Sequence, residues 1–350
     1  MNRLERIKGC LLGGAVGDAL GAPIEFLDWN TIQAKFGLQG IVDFAPAYGI
    51  TGAITDDTQM MLFTAEGLLR AYVRGSSRGI CHVPSIIHHA LLRWLMTQGY
   101  QSFTRVSLDG WLVNERALWA RRAPGNTCIS ALKAGQYLGF LAENNSKGCG
   151  AVMRVAPCAF FGNAFDYAKE SGRLTHGHPT GYLAAGLFAD ILQRMAERQD
   201  SLEHALTESL ATYGHKSGLE ETRAILERVL FYFYEGYRPT PERIDEFGGG
   251  WIAEEALAIG IWCALTATSF EQGLISAVNH SGDSDSTGMI AGHLLGVQYG
   301  TAAIPVRWYE GLELRCVIEK VAEDIERVPR DYSGDGGEFD QQIERRYPGG

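Results

Sequence analysis

Glycine, set repeatedly inside stretches of helical character, is the feature that most constrains how this chain can fold. The runs GCLLGGAVGDALGA from Gly9 and GMIAGHLLGVQYG from Gly288 interrupt apolar helical patterns with glycine again and again. Each interior helix glycine costs roughly 0.5–1 kcal/mol relative to alanine, and this chain contains 43 glycines in all. Helices that pack closely, backbone against backbone around a crowded centre, offset such a cost.

Elsewhere the apolar spacing is helical. Met61, Ala65, Leu68, Leu69 and Tyr72 form one stripe; Leu183, Leu187, Ile191 and Met195 form another. Further helices are expected over 84–97, 110–122, 128–141, 164–172, 203–214, 218–236, 252–267, 270–279, 286–299 and 314–327, separated by short Gly, Pro, Ser and Asn punctuation. No segment alternates like a strand, and no repeat or linker divides the chain. The expected architecture is all-α, a single compact multi-helix domain over residues 1–328, followed by a polar, glycine-rich tail at 329–350 lying on the surface. A hydrophobic fraction of 46% supplies a core of that size.

A formal charge of −10, with Arg121 and Arg122 forming no basic stripe, excludes a nucleic-acid partner that depends on clustered cations. Metal ions and a guanidinium-bearing substrate remain compatible. The seven cysteines are scattered, odd in number and never two residues apart, which fits a reducing cytoplasm rather than disulfide or zinc chemistry. No run approaches the about 18 apolar residues of a membrane span.

Two acidic helix starts stand out. In TDDTQMM, Thr55 to Met61, a cap explains one aspartate, because acidic residues favour a helix N-terminus. The second adjoins it, and neighbouring carboxylates repel unless a hard cation such as Mg²⁺ or Mn²⁺ neutralises them. Capping and metal binding are both open for this motif alone. In NHSGDSDSTGMIAGHLLG, Asp283 and Asp285 stand two apart before Ser286 and Thr287. A calcium hand is excluded, since its twelfth position would be Leu294 in place of glutamate. Opposed across a bundle, the two motifs would form a two-metal hydrolytic centre.

The other motifs are weaker. GGAVGDALG at 13–21 has no preceding strand and reads as packing; the glycines of SKGCGAVMR, Gly148 and Gly150, suit either packing or a diphosphate cradle. His176 and His178 in THGHPT lack a third local zinc ligand and read as capping or packing residues ahead of Pro179. No G-x-S-x-G elbow supports a serine hydrolase.

Taken in order, GCLLGGAVGDALGAPIEF, TDDTQMM, SKGCGAVMRVAP, THGHP, GGGWIAEEALA and NHSGDSDSTGMIAGHLLGVQYG resemble the ADP-ribosylglycohydrolase family over about residues 7–300. The resemblance implies an all-α fold and two Mg²⁺ or Mn²⁺ ions, with Thr55, Asp56, Asp57, Asp283, Asp285 and Ser286 as ligands. It further implies Glu25, Asp56 and Asp285 as the catalytic set, and Gly148, Cys149 and Gly150 against the diphosphate of ADP-ribose. Cys149 stands where many relatives have asparagine, and Ser286 where many have threonine. The segment Ala123 to Thr127, APGNT, lacks an aspartate that some members carry. The implied activity is release of ADP-ribose from arginine of a modified protein. The alternatives are hydrolysis of serine- or poly-linked ADP-ribose, an immunity protein that also blocks an ADP-ribosyltransferase toxin, a non-catalytic crystallin-like relative, and a two-metal phosphohydrolase.

Overall fold

The computed structural model describes residues 1–349, and helices dominate it. In chain order they are α1 (Arg3–Gly21), α2 (Trp29–Phe36), α3 (Asp56–Arg78), α4 (Val83–Thr97), α5 (Asn126–Ala134) and α6 (Ala164–Arg173). Then come α7 (Pro179–Gln193), α8 (Leu202–Tyr213), α9 (Glu220–Tyr234), α10 (Pro241–Ile244) and α11 (Ala253–Leu265). The last are α12 (Phe270–Val278), α13 (Ser284–Tyr299), α14 (Val306–Gly311), α15 (Arg315–Asp331) and α16 (Glu338–Arg346). Pro46–Ala47 and Ile50–Thr51 pair as a minimal antiparallel hairpin, β1 and β2. The expected all-α class holds, and one large apolar cluster runs from Ile7 to Tyr347.

At the centre, α1 and α13 run antiparallel with their backbones in contact. A Cβ on Gly9 would sit 2.2 Å from the carbonyl oxygen of Gly296, one on Gly13 2.3 Å from that of Gly292, and one on Gly17 2.0 Å from that of Gly288. These pairs advance by four residues on each helix, the spacing of one face. The glycines flagged by the sequence are therefore the seam that lets the two helices touch. Both helices are buried nearly all round, which explains why neither shows a polar face.

Some expected helices do not form. Over 110–122 there are only short 3₁₀ turns, at Leu112–Asn114 and Arg116–Trp119. Contacts along the segment hold it on an irregular path: Trp119 Nε1 donates to Val113 O (2.8 Å), Gln59 Nε2 to Ala120 O (2.9 Å) and the Asp56 amide to Arg122 O (3.2 Å). The helix expected over 128–141 stops at Ala134, where Gly135 turns extended, and Gly139 takes a φ of 86°. The segment 329–350 was expected as a surface tail; over its described residues, 329–349, it is anchored: α15 runs through Pro329 to Asp331, and Tyr347 is fully buried with its hydroxyl donating to Asp324 (2.8 Å). All seven cysteines are free, and among the described residues no helix is long and apolar enough to cross a membrane.

Candidate active site

Three chain segments meet at one end of the glycine seam. The turn after α1 supplies Glu25, the first turn of α3 supplies Asp56 and Asp57, and the first turn of α13 supplies Asp285 and Ser286. Capping fixes both helix starts: Thr55 Oγ1 accepts from the Asp57 amide (3.2 Å), and Asp283 Oδ1 accepts from the Ser286 amide (3.4 Å). The two motifs then touch directly. Ser286 Oγ donates to Asp57 Oδ2 at 2.9 Å, a contact between residues 229 apart in sequence. Carboxylate oxygens of Glu25, Asp283 and Asp285 lie within 4.8 Å of one another.

All five acids are buried. Burial is the first cause that pushes each carboxyl above its ordinary range; neighbouring carboxylates add to it for Glu25, Asp56, Asp57 and Asp285, whereas hydrogen bonds from Asp285, Cys149 and Ser286 oppose it at Asp283. Glu25 rises to about 9 through burial, then through Asp283, Asp56 and Asp18. Among the described residues no lysine or arginine pairs with any of the five, and Glu25 Oε2 has no hydrogen-bond partner. Buried carboxylates this close need protons or cations to coexist. The donors facing one another are carboxylate and hydroxyl oxygens, the set that hard divalent cations take.

A cleft of about 690 Å³ opens onto this cluster. Phe26 and Trp251, both exposed, stack at its edge with ring centroids 5.8 Å apart. Ala123 to Thr127 form part of the wall with no carboxylate, and the Gly125 amide donates to Asp56 Oδ2 (3.4 Å). Ala123 holds a φ of 48°, unusual for a residue with a side chain and a mark of a constrained turn. Gly148, Cys149 and Gly150 also line the cleft, next to the start of α5. Two of that loop's amides are committed: Cys149 to the Trp251 carbonyl (3.1 Å) and Gly148 to Ser146 Oγ (3.3 Å). The glycines make room, since a Cβ on Gly148 would lie 3.3 Å from His176 Nε2 and one on Gly150 2.9 Å from Cys128 Sγ. His176 therefore packs beneath the loop with its Nδ1 against Thr175 Oγ1 (2.8 Å), while His178 caps α7 through the Thr180 amide.

A model of the ADP-ribosylglycohydrolase family matches residues 1–334. The chain belongs to the ADP-ribosylglycohydrolase family. Among family relatives, the ADP-ribosyl-[dinitrogen reductase] glycohydrolase of Rhodospirillum rubrum is 26% identical, covering 92% of this chain and 94% of its own. The ADP-ribosylarginine hydrolase Tri1 of Pseudomonas putida is 26% identical, covering 93% and 80% respectively. A solved structure, described as an ADP-ribosylglycohydrolase-related protein complex, superposes with a TM-score of 0.69 at 27% identity, covering 93% of this chain and 99% of the other.

In this member of the ADP-ribosylglycohydrolase family, Asp18 is a site residue that the motif reading left among packing glycines. It sits on α1, fully buried, and accepts from the amides of Thr55 (3.0 Å) and Thr58 (3.1 Å) and from Thr58 Oγ1 (2.5 Å). It thereby clamps the start of α3 to the seam helix. Burial raises its carboxyl to about 6, against the hydrogen bonds from Thr58 and Thr55. The visible signal was a lone charge within the apolar, glycine-rich run from Gly9 to Gly21. Asp18→Asn would turn an amide N–H toward these donors, with an expected loss of about 1–3 kcal/mol. Urea denaturation checks it; an unchanged midpoint would refute the clamp.

Proposed function

We propose that the chain is a metal-dependent hydrolase that cleaves the N-glycosidic bond between ADP-ribose and an arginine side chain, reversing mono-ADP-ribosylation of a protein. The observation that carries this reading is the Ser286–Asp57 contact, which joins two acidic helix starts into one buried cluster without a basic partner. Asp56, Asp57, Asp283 and Asp285, with Thr55 and Ser286 contributing hydroxyls, would hold two Mg²⁺ or Mn²⁺ ions. Bound there, such cations supply the positive charge that lets the carboxylates ionise, and Lewis-acid polarisation of an oxygen nucleophile.

The protein's own groups account for the remaining requirements. Asp56 and Asp285 orient the reacting ribose from opposite helix starts. Glu25 would hold a proton and pass it to the departing nitrogen, a role that its buried, unpartnered Oε2 on the cleft wall supports. The wall formed by Gly148, Cys149 and Gly150 lets the substrate diphosphate approach the backbone, and Arg121 on the cleft wall offers it a positive charge. The arginine preference draws on Tri1, whose name states that linkage, and on the guanidinium, a cationic group suited to an acidic cleft.

Arginine-, serine- and poly-linked ADP-ribose substrates, each incubated with Mg²⁺, Mn²⁺ or a chelator, test this reading. The expected result is release of ADP-ribose from the arginine conjugate, abolished by chelation. Release from the serine conjugate alone would overturn the linkage, and turnover that survives exhaustive chelation would overturn the metal requirement.

A further inference from the structure

Cys149 brings a thiol, a soft donor, to a cluster built chiefly from oxygen; the Met153 thioether also lines the cleft, 4.0 Å from Ser286 Oγ. Its thiol lies 2.8 Å from Asp283 Oδ2 and 3.7 Å from Ser286 Oγ, both at the start of α13, on the wall of the cleft. Glu25 also lines the cleft, buried and with its Oε2 lacking a partner, so the acidic cluster that Cys149 touches through Asp283 holds an unused donor. The position is rigid: the Cys149 amide is tied to Trp251, and the neighbouring glycines leave no free space for the loop to withdraw. Soft thiolate ligands favour zinc and similar ions, whereas carboxylate sets alone favour magnesium, calcium and manganese.

We propose that Cys149 is a sulfur ligand held in reserve at the acidic cluster, which makes the site a high-affinity target for thiophilic divalent cations such as Cd²⁺ or Zn²⁺ that compete with the hard ions. This rests on the two-cation reading above. When a thiophilic cation enters, the sulfur–hydrogen bond breaks, a sulfur–metal bond forms, and the proton leaves to the buffer; no electron changes hands. Asp283 loses the thiol as its hydrogen-bond donor and turns the freed oxygen to the same ion. Mg²⁺, which has little affinity for sulfur, leaves the thiol protonated.

Calorimetric and ultraviolet titrations of the full chain with Cd²⁺, Mn²⁺ and Mg²⁺, on the wild type, Cys149→Ser and Cys149→Asn, test this. The wild type is expected to show a sulfur-to-cadmium charge-transfer band that excess Mn²⁺ displaces. Displacement separates this sulfur from exposed Cys316 and part-exposed Cys81. Both variants are expected to lack the displaceable band, to release about one proton fewer on Cd²⁺ binding, and to bind Cd²⁺ about 10–100-fold more weakly. Their Mg²⁺ affinity should match the wild type, which also shows that the variants fold. If Mg²⁺ and Mn²⁺ bind while Cd²⁺ affinity and spectrum are the same in all three proteins, the role of Cys149 is overturned and the two-cation reading stands. If the wild type binds none of the three ions, the two-cation reading falls and this inference with it.

Discussion

Asp285→Asn is expected to lower turnover by about 10³-fold, equivalent to roughly 4 kcal/mol of transition-state stabilisation, while the protein stays folded. The side chain is buried at the start of α13, and its oxygen approaches those of Glu25 and Asp283. Asparagine keeps the shape and one oxygen but removes the charge that would hold a cation. Stability in chelator should move the other way. Burial, then Glu25, Asp57 and Asp283, raise the Asp285 carboxyl well above its ordinary value, so the metal-free cluster is strained when ionised. For a carboxyl raised on folding, the native state binds the extra proton, and stability is lost as pH rises toward the folded value. With Glu25 at about 9 against an ordinary 4.5, the chelated wild type should lose stability progressively between those limits, and Asp285→Asn should lose less. Divalent cation should restore the wild type far more than the variant. Steady-state turnover and melting curves across pH are the measurements; a variant that retains wild-type turnover would remove Asp285 from the chemistry.

The second large effect concerns packing. Gly17→Ala adds a methyl group 2.0 Å from the Gly288 carbonyl oxygen and 2.8 Å from the Met289 amide nitrogen, all backbone atoms that cannot rotate away. Alanine gains up to about 1 kcal/mol of helix propensity, but overpacking a core costs typically about 1–3 kcal/mol and more where the backbone itself must move. The expected net loss is about 3 kcal/mol, a fall in melting temperature of roughly 4 °C for a chain of 350 residues. Because Asp285 lies less than one turn before Gly288, cation affinity should fall too. Gly75→Ala in α3 is the control: the nearest atom is 3.8 Å away, and a gain of about 0.5–1 kcal/mol is expected. Should Gly17→Ala melt with the wild type, the seam is looser than the backbone contacts describe.

Much of this was legible in the sequence because local and tertiary demands coincided. The acidic starts of α3 and α13 carry caps, charges and a following apolar stripe, so each motif marked its own helix. Glycine at every fourth position announced the seam, although only the structure pairs Gly9, Gly13 and Gly17 with Gly296, Gly292 and Gly288. The segment 110–122 was misread because its apolar residues permit a helix locally, while Gln59 and Asp56, far away in sequence, bind the Ala120 and Arg122 carbonyls and hold the chain on a different path. The final segment was read as peripheral from composition, which averages over Tyr347 and Ile343, the two side chains that anchor it. Asp18 was passed over because its partners are backbone amides of another helix, and such partners leave no trace in side-chain spacing.

The seam also dictates an order of assembly. Helix α1 leaves the ribosome well before α13, so the surface it must bury against does not exist until α13 has been made. Until then its glycine face has no partner and its backbone is exposed, and a contact spanning so much sequence is slow to close. Synthesis interrupted before residue 284 would thus leave α1 a protein-quality-control target, and the acidic cluster would come into being only once α13 has docked.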